Sequence, residues 1–389
     1  MFADWLDPVL TSLRECAALS RRARASALRD GRIQRVRHGK YIGSDCLELA
    51  DQPWQCREIG LTARVLSLDD GEPCGPVLVG PAAAFATGLR LYPTPGDVDL
   101  LVSYPTNSQT RDFSRLRWAD GYILRPGRLR RYKSPFPEHL ILDIPRTKLR
   151  ALHPIPNTVW CAAREDPELA TIIACETLGG SEGFPYENPE AFRANERRIR
   201  CDMESWIDRR RRWILDPDTA LWVIDNSDGG CESPSEGRGL FQLKSRGVLG
   251  VTTQHCIPTR NRPRYADLAI VRSLVDAEHE GEDKDGDTVE AVHSAQTRRD
   301  RRYMDIRAAG WEVVPVRRTT LNVEGQLLED VHAAAKRPLL IIPSQGLPAS
   351  GQSRITSPSR FRSARGSSTE MSPFDPTETE PEWLEDGPF

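Results

Sequence analysis

The chain is predicted to be a multidomain α/β protein with a winged helix at its N-terminus, a small α/β segment in the middle and a larger α/β sheet unit near its C-terminus. Three observations carry this. At 389 residues the length gives two to three domains at about 150 residues each. The hydrophobic set makes up 39% and charged residues 28%, enough apolar material for real cores and too much charge for an integral membrane protein. Short β-rich runs also alternate with helical patterns, punctuated by Pro and Gly.

In residues 1–43, nine Lys or Arg stand against four acids, a local basic excess in a chain whose net charge is -3. The molecule as a whole has no bulk pull on nucleic acid, so any such binding must come from a local patch. Asp7 to Ala17 and Ser20 to Asp30 read as short helices, the second capped by Ser20 and stopped by Gly31. RIQRVRHGKYIG follows, with Ile33, Val36, Tyr41 and Ile42 as apolar strand positions and His38-Gly39 as the turn. Helix, helix and basic hairpin is a winged-helix order, expected over 1–60.

Residues 61–165 hold the runs ARVLSL, PVLVG, DVDLLVSY and HLILDI, read as strands, and an Ala-rich helix from Pro81. Asp166-Pro167 starts a helix by its N-cap and N1 chemistry, opening a helical connector over 166–230. From 231 to 343 the order becomes helix (PSEGRGLFQLKSRG), three strands (VLGVTTQHCI, YADLAIV, SLVDAEHEG), a charged loop, helix (SAQTRRDRRYMDIRAAG), strand (WEVVPVR) and helix. Residues 344–389, rich in Ser, Pro, Gly and acids, are expected to be a disordered tail.

The longest uncharged run, Pro73 to Leu89, is interrupted by three Pro and three Gly and falls short of a membrane span of about 20 residues. Asp4 and Asp7 stand where a secretory signal carries basic residues. Nine scattered Cys, never at CxxC spacing, argue against a zinc knuckle and a disulfide framework and point to a reducing, cytoplasmic compartment without a membrane partner.

The strongest chemical signal lies between Asp267 and Glu280. Asp267 sits inside an apolar strand, a tight turn at Arg272-Ser273 follows, and the next strand delivers Glu278 and Glu280 two residues apart, hence on one face. With Glu236 from the preceding helix, four hard oxygen donors suit Mg²⁺ or Mn²⁺ better than zinc. Such a metal would activate water and neutralise a phosphodiester. The plainer alternative is that acids at strand ends face solvent and that the stretch from Glu278 to Asp287 is simply acidic.

The run from Asp267 through AEHEG and RRDRRYMDIRAAGWEVVPV resembles the actinobacterial very-short-patch-repair-like endonucleases of the PD-(D/E)XK superfamily. That family's order is a first helix with an acid, a strand Gln, a strand Asp, an E-x-(D/E/K)-G strand, a charged stretch, a D-x-x-R-type helix and a GW strand. The matching residues are Glu236, Gln254, Asp267, Glu278, Glu280 and Gly281, Asp300 and Arg302, and Gly310 and Trp311. The resemblance covers about 232–320. It implies a restriction-endonuclease-like fold, Asp267 and Glu278 as metal ligands, Glu236 and Gln254 as helpers, and Glu280 as a group orienting the attacking water. Arg299 and Arg302 would contact the DNA backbone. Glu280 stands where the family carries Lys, so no ammonium is available there to stabilise charge on the phosphate. The family's His just after the Gly has no counterpart nearer than His293.

LSRRARASALRDGRIQRVRHGKYIG resembles, at lower specificity, the winged helix of AbiEi-type abortive-infection antitoxins, and GPAAAFATGLRLYP and IPRTKLRAL resemble that family's downstream segments. This implies a DNA contact through Arg21, Arg22 and Arg24 on the second helix and Arg35, Arg37 and Lys40 on the wing. The expectation is a DNA-binding, Mg²⁺- or Mn²⁺-dependent endonuclease acting in defence or repair. The alternative is an antitoxin or transcriptional regulator with a catalytically degenerate nuclease domain, and a third reading is a protein-interaction scaffold.

Overall fold

A computed structural model describes residues 2–69, 77–92, 96–102, 111–133, 136–180, 183–209, 211, 214–280 and 289–355. The chain is mixed α/β, with its strands divided among four sheets.

The N-terminal elements are α1 (Phe2–Ala18), α2 (Arg21–Arg29), β1 (Ile33–Arg37), β2 (Lys40–Gly43), α3 (Ser44–Leu47) and α4 (Pro53–Leu66). Ser20 caps α2 by accepting from Ala23 N, and Gly31 ends it in the left-handed region at φ 70°. β1 and β2 form the antiparallel hairpin, turned at Gly39. The run ARVLSL, expected as a strand, lies mainly in the last turns of α4. Every residue from Glu58 to Leu66 is buried, and a fully buried helix shows the same unbroken apolar run as a buried strand. The hairpin rests on the middle segment: Gln34 donates to Arg117 O and accepts from Arg117 N, and Ser114 N donates to Val36 O.

The middle holds β3 (Val77–Val79), α5 (Pro81–Ala86), β4 (Val98–Val102), β5 (Arg111–Phe113), β6 (Leu116–Arg117), β7 (Ile123–Leu124), β8 (Gly127–Lys133), β9 (Ile141–Asp143) and β10 (Arg150–Leu152). Six of these form one sheet in the order β5-β8-β4-β3-β10-β9, and β6 pairs with β7. Helices α6 (Pro154–Arg164), α7 (Pro167–Gly179), α8 (Pro189–Arg209) and α9 (Pro217–Asn226) follow. Asp166 caps α7 by accepting from Glu168 N. A single cluster of buried apolar side chains runs from Phe2 in α1 through the sheet to Val223 in α9, so the boundaries placed at 60 and 165 fall inside one shared core.

In that core the Arg130 guanidinium serves two buried carboxyls, Asp99 at 2.6 Å and Glu165 at 3.6 Å. Burial, then the charge of Asp99, push Glu165 up to about 7. Its folded form therefore holds a proton that the unfolded chain releases near pH 4.3. The associated stability is complete below that pH and is lost as pH rises through 7. Glu165→Gln is expected to flatten the fall in melting temperature between pH 5 and pH 8, read by calorimetry at the two values.

The C-terminal unit is α10 (Pro234–Lys244), β11 (Val251–Ile257), β12 (Arg264–Ile270), β13 (Val275–His279), α11 (Val289–Ala308), β14 (Glu312–Val316), α12 (Arg318–Asn322) and α13 (Gln326–Ala334). Its sheet has the order β11-β12-β13-β14, antiparallel until β13 and β14, which run parallel across the α11 crossover. Leu240 and Leu243 of α10 pack on Leu268, Ile270, Val275 and Ala277; Tyr303 and Ile306 of α11 pack with Ala269 and Val313. Helix and sheet approach closely at Gly239, where a Cβ would come within 2.9 Å of His279 Nε2 and Leu268 Cδ1.

The expected tail does not begin at Ser344. Leu347 is buried, and α14 (Ala349–Ile355) docks through Arg354, which donates to the Glu165 and Ala162 carbonyls and pairs with Asp216. Its Ser, Gly and Gln content hid a short helix that tertiary contacts hold in place. Residues 356–389 lie outside the described residues.

Candidate active site

Register builds the site. β12 and β13 pair with Leu268 opposite Ala277 and Ala269 opposite Asp276, and one step further Asp267 comes opposite Glu278. Asp267 Oδ2 accepts from His279 N at 2.9 Å, tying the two strand ends together. Asp276 and Glu278, two apart, share the face that α11 covers.

One cation from α11 enters this face. Arg302 sets Nε 2.6 Å from Glu278 Oε1, donates through Nη2 to Glu278 Oε2 at 3.0 Å and to the Tyr265 carbonyl, and lies 4.0 Å from Asp267 Oδ1. The guanidinium expected to face DNA thus points inward and pairs with the buried Glu278 carboxyl. Asp276 is fully buried; no backbone, hydroxyl or cationic group donates to its oxygens, and its side-chain hydrogen bond is with the Glu278 carboxyl. Three acids therefore share one guanidinium. Burial, then the charge of Asp267, push Asp276 up to about 7 and hold Glu278 well above the usual carboxylate range. The sequence reading missed Asp276 because it began the strand alternation at Glu278; the same period of two, run backwards, reaches it.

Glu236 and Gln254 flank this centre. Glu236 is the third residue of α10 and is tied to the helix start: Ser233 Oγ accepts from Glu236 N and donates to Glu236 Oε1, and Glu232 N, one residue before the cap, donates to Oε2. Its oxygens are thus engaged at the helix start, yet Asp267 is near enough that burial and its charge push Glu236 up to about 8. Gln254 falls opposite Asp267, between the pairs Thr253 with Leu268 and His255 with Ala266. Its φ of 50° is left-handed, a conformation costing a non-glycine residue about 1–3 kcal/mol and found most often at functional sites. Its Oε1 accepts from Tyr186 OH at 3.3 Å, while Nε2 is buried with no acceptor.

Glu280 is taken elsewhere: Tyr303 OH donates to Oε1 at 3.0 Å and Arg317 Nε to Oε2 at 2.7 Å. Burial raises its pKa, but these donors outweigh burial and leave it below the usual range, which opposes a role as a base. Arg299 is half-exposed on α11 and His293 is exposed near its start; Gly281 and the charged stretch after it lie outside the described residues.

On the N-terminal module Arg21, Arg22 and Arg35 are exposed, with Ala27 the single buried residue of α2. Arg24 and Arg37 are structural. Arg24 donates to the Ala17 and Leu19 carbonyls and lies over the Tyr41 ring; Arg37 is buried with Nε and Nη2 both on the Ser67 carbonyl. Lys40 is half-buried.

The donor chemistry of Asp267, Asp276 and Glu278 fits a hard divalent cation, and the buried Asp276 carboxyl has no cationic partner in contact, only the Glu278 carboxyl beside it. Their arrangement is set by Arg302: among the described residues no group of three or more His, Cys, Asp or Glu is positioned to hold a metal ion. No known family model, no curated protein and no solved structure matches the chain. No helix among the described residues is long and apolar enough to cross a membrane.

Proposed function

We propose that the chain is a DNA-binding protein whose C-terminal unit is a PD-(D/E)XK-type nuclease that hydrolyses phosphodiester bonds with Mg²⁺ or Mn²⁺. The observation that carries this reading is the meeting of Asp267 and Glu278 at one end of neighbouring strands, where Asp267 Oδ2 accepts from His279 N and Arg302 reaches both carboxylates, with Gln254 between the pairs that flank Asp267 on the other side. The order α10, β11, β12, β13, α11, β14 supports it, being the order of elements that the resemblance implies. Asp267 and Glu278 would hold the cation, with Asp276 beside them, once Arg302 releases Glu278. The bound cation supplies Lewis-acid polarisation of the phosphate and an activated water. Gln254 and Glu236 fix the surroundings of Asp267.

The test is cleavage of plasmid, linear and single-stranded DNA with Mg²⁺ or Mn²⁺, comparing wild type with Asp267→Ala and Glu278→Ala. Metal-dependent cutting lost in both variants supports the reading. Absence of cutting by folded, DNA-binding protein overturns it and leaves the regulator with a degenerate nuclease domain. One observation favours that second reading: Arg302 already neutralises Glu278.

DNA binding would run through α2 and the wing. Each arginine that meets a phosphate releases about one counterion, so Arg21→Gln with Arg22→Gln is expected to lower duplex affinity and to reduce the salt slope by about one per arginine. Titrations between 50 and 200 mM salt read this. Arg37→Gln is expected to lower the melting temperature without changing that slope, because its donors serve the Ser67 carbonyl.

A further inference from the structure

A cavity of about 570 Å³ lies between the N-terminal helices and the C-terminal unit, within the size range of small-molecule sites. It is walled by the start of α4, the segment around Tyr92, the start of α10, the end of β13 and α12. Five arginines line it against three acids. Three of the five have carboxylate partners: Arg90 with Glu176, Arg238 with Glu168 and Arg317 with Glu280. Arg57 and Arg318 have none among the described residues. Both lie over the Tyr92 ring, 5.8 and 5.9 Å from its centroid, so two guanidiniums from separate elements converge on one aromatic. Trp54, 44% exposed, adds a second aromatic surface to the wall.

This combination selects its ligand. Guanidiniums without a carboxylate partner inside a concave site favour phosphate; Arg57 already gives its Nε to Tyr122 OH at 2.9 Å, so its remaining donors would serve this contact. An exposed indole offers a flat surface to a planar ring. The wall also includes His279 and Glu280, the residues directly after Glu278 in the chain.

We infer that this cleft is a binding site for an unpaired nucleotide, its phosphate held by Arg57 and Arg318 and its base stacked on Trp54. The ligand is either one nucleotide of a single strand or a free nucleoside monophosphate. The inference deepens the nuclease reading and rests on it for the strand as source: the substrate would be single-stranded or locally opened, presented to Asp267 and Glu278 through the cleft.

The experiment is fluorescence anisotropy of a labelled twelve-residue oligothymidine in EDTA, with competition by thymidine monophosphate, inorganic phosphate and polyglutamate. Trp54→Ala is expected to weaken oligonucleotide binding about tenfold, from loss of one base stack, and Trp54→Phe to retain most of it. Arg318→Gln is expected to reduce the salt slope by about one. Competition by thymidine monophosphate identifies a free nucleotide as sufficient; binding of the oligonucleotide without it identifies the strand as the source.

Oligonucleotide binding unchanged in folded Trp54→Ala overturns the inference. So does displacement by phosphate or polyglutamate as effective as by the nucleotide, or no binding by the folded wild type. Trp54-dependent binding without metal-dependent cutting defeats only the hydrolytic reading. Asp267-dependent cutting that Trp54→Ala leaves unchanged defeats only the cleft.

Discussion

Arg302→Gln is expected to lower the stability of the protein by about 3 kcal/mol, the low end of the range for removing one partner of a buried ion pair. The low end applies because the Arg302 side chain is 29% exposed, so water offsets part of the lost interaction. The variant leaves Asp267, Asp276 and Glu278 on one sheet face without their guanidinium, and Asp276 has only the Glu278 carboxyl as a hydrogen-bond partner. At about 2–4 °C per kcal/mol, the melting temperature should fall by roughly 6–12 °C at pH 7.5. Two treatments should return most of it. Acid protonates the carboxyls, and millimolar Mg²⁺ or Mn²⁺ takes the place of the guanidinium among hard oxygen donors. Wild type should respond less to the metal, because Arg302 competes for Glu278. A variant that melts like wild type would show that the ion pair adds nothing. One that recovers with acid but not with metal would mark Arg302 as the acids' permanent partner and favour the degenerate domain.

The pairing of Arg302 with Glu278 was hidden in the sequence for a physical reason. RRDRRYMDIR presents several arginines in succession, and helical periodicity shows which share a face without showing which neighbour that face meets. Arg302 and Tyr303 are adjacent in α11, yet one pairs with Glu278 and the other donates to Glu280. That divergence separates the two glutamates that strand alternation had placed together. Asp267, Glu278 and Gln254 were legible because their positions depend on strand register, a local property fixed by period two and the turn at Arg272-Ser273. The dual character of Glu236 was half-legible: S-x-x-E sets the acid beside the capping serine as clearly as it supplies a carboxyl. In the N-terminal module the helices and hairpin followed from caps and glycines. The burial of Arg37 did not, because its partner is a carbonyl thirty residues away.

Asp267→Asn and Glu236→Gln should divide sharply in the cleavage assay. Asp267 is the acid whose charge acts on Glu236, Asp276 and Glu278 alike, which puts it at the electrostatic centre. Removing that charge would remove a proposed ligand and relax the other acids toward their ordinary pKa values. A metal contributes several kcal/mol to the transition state, and each 1.36 kcal/mol is tenfold in rate. Asp267→Asn is therefore expected to cut the rate by about three orders of magnitude, with little loss of stability because the amide oxygen can still accept from His279 N. Glu236→Gln keeps an oxygen for Ser233 or Glu232 N at the helix start and resembles the uncharged carboxyl that burial already favours. Its rate should stay within about tenfold of wild type, the mild end of what a supporting residue around a metal contributes. Single-turnover cleavage of the two variants at saturating Mg²⁺ measures this. Equal, large losses would place Glu236 among the ligands, and equal, small losses would remove Asp267 from the chemistry altogether.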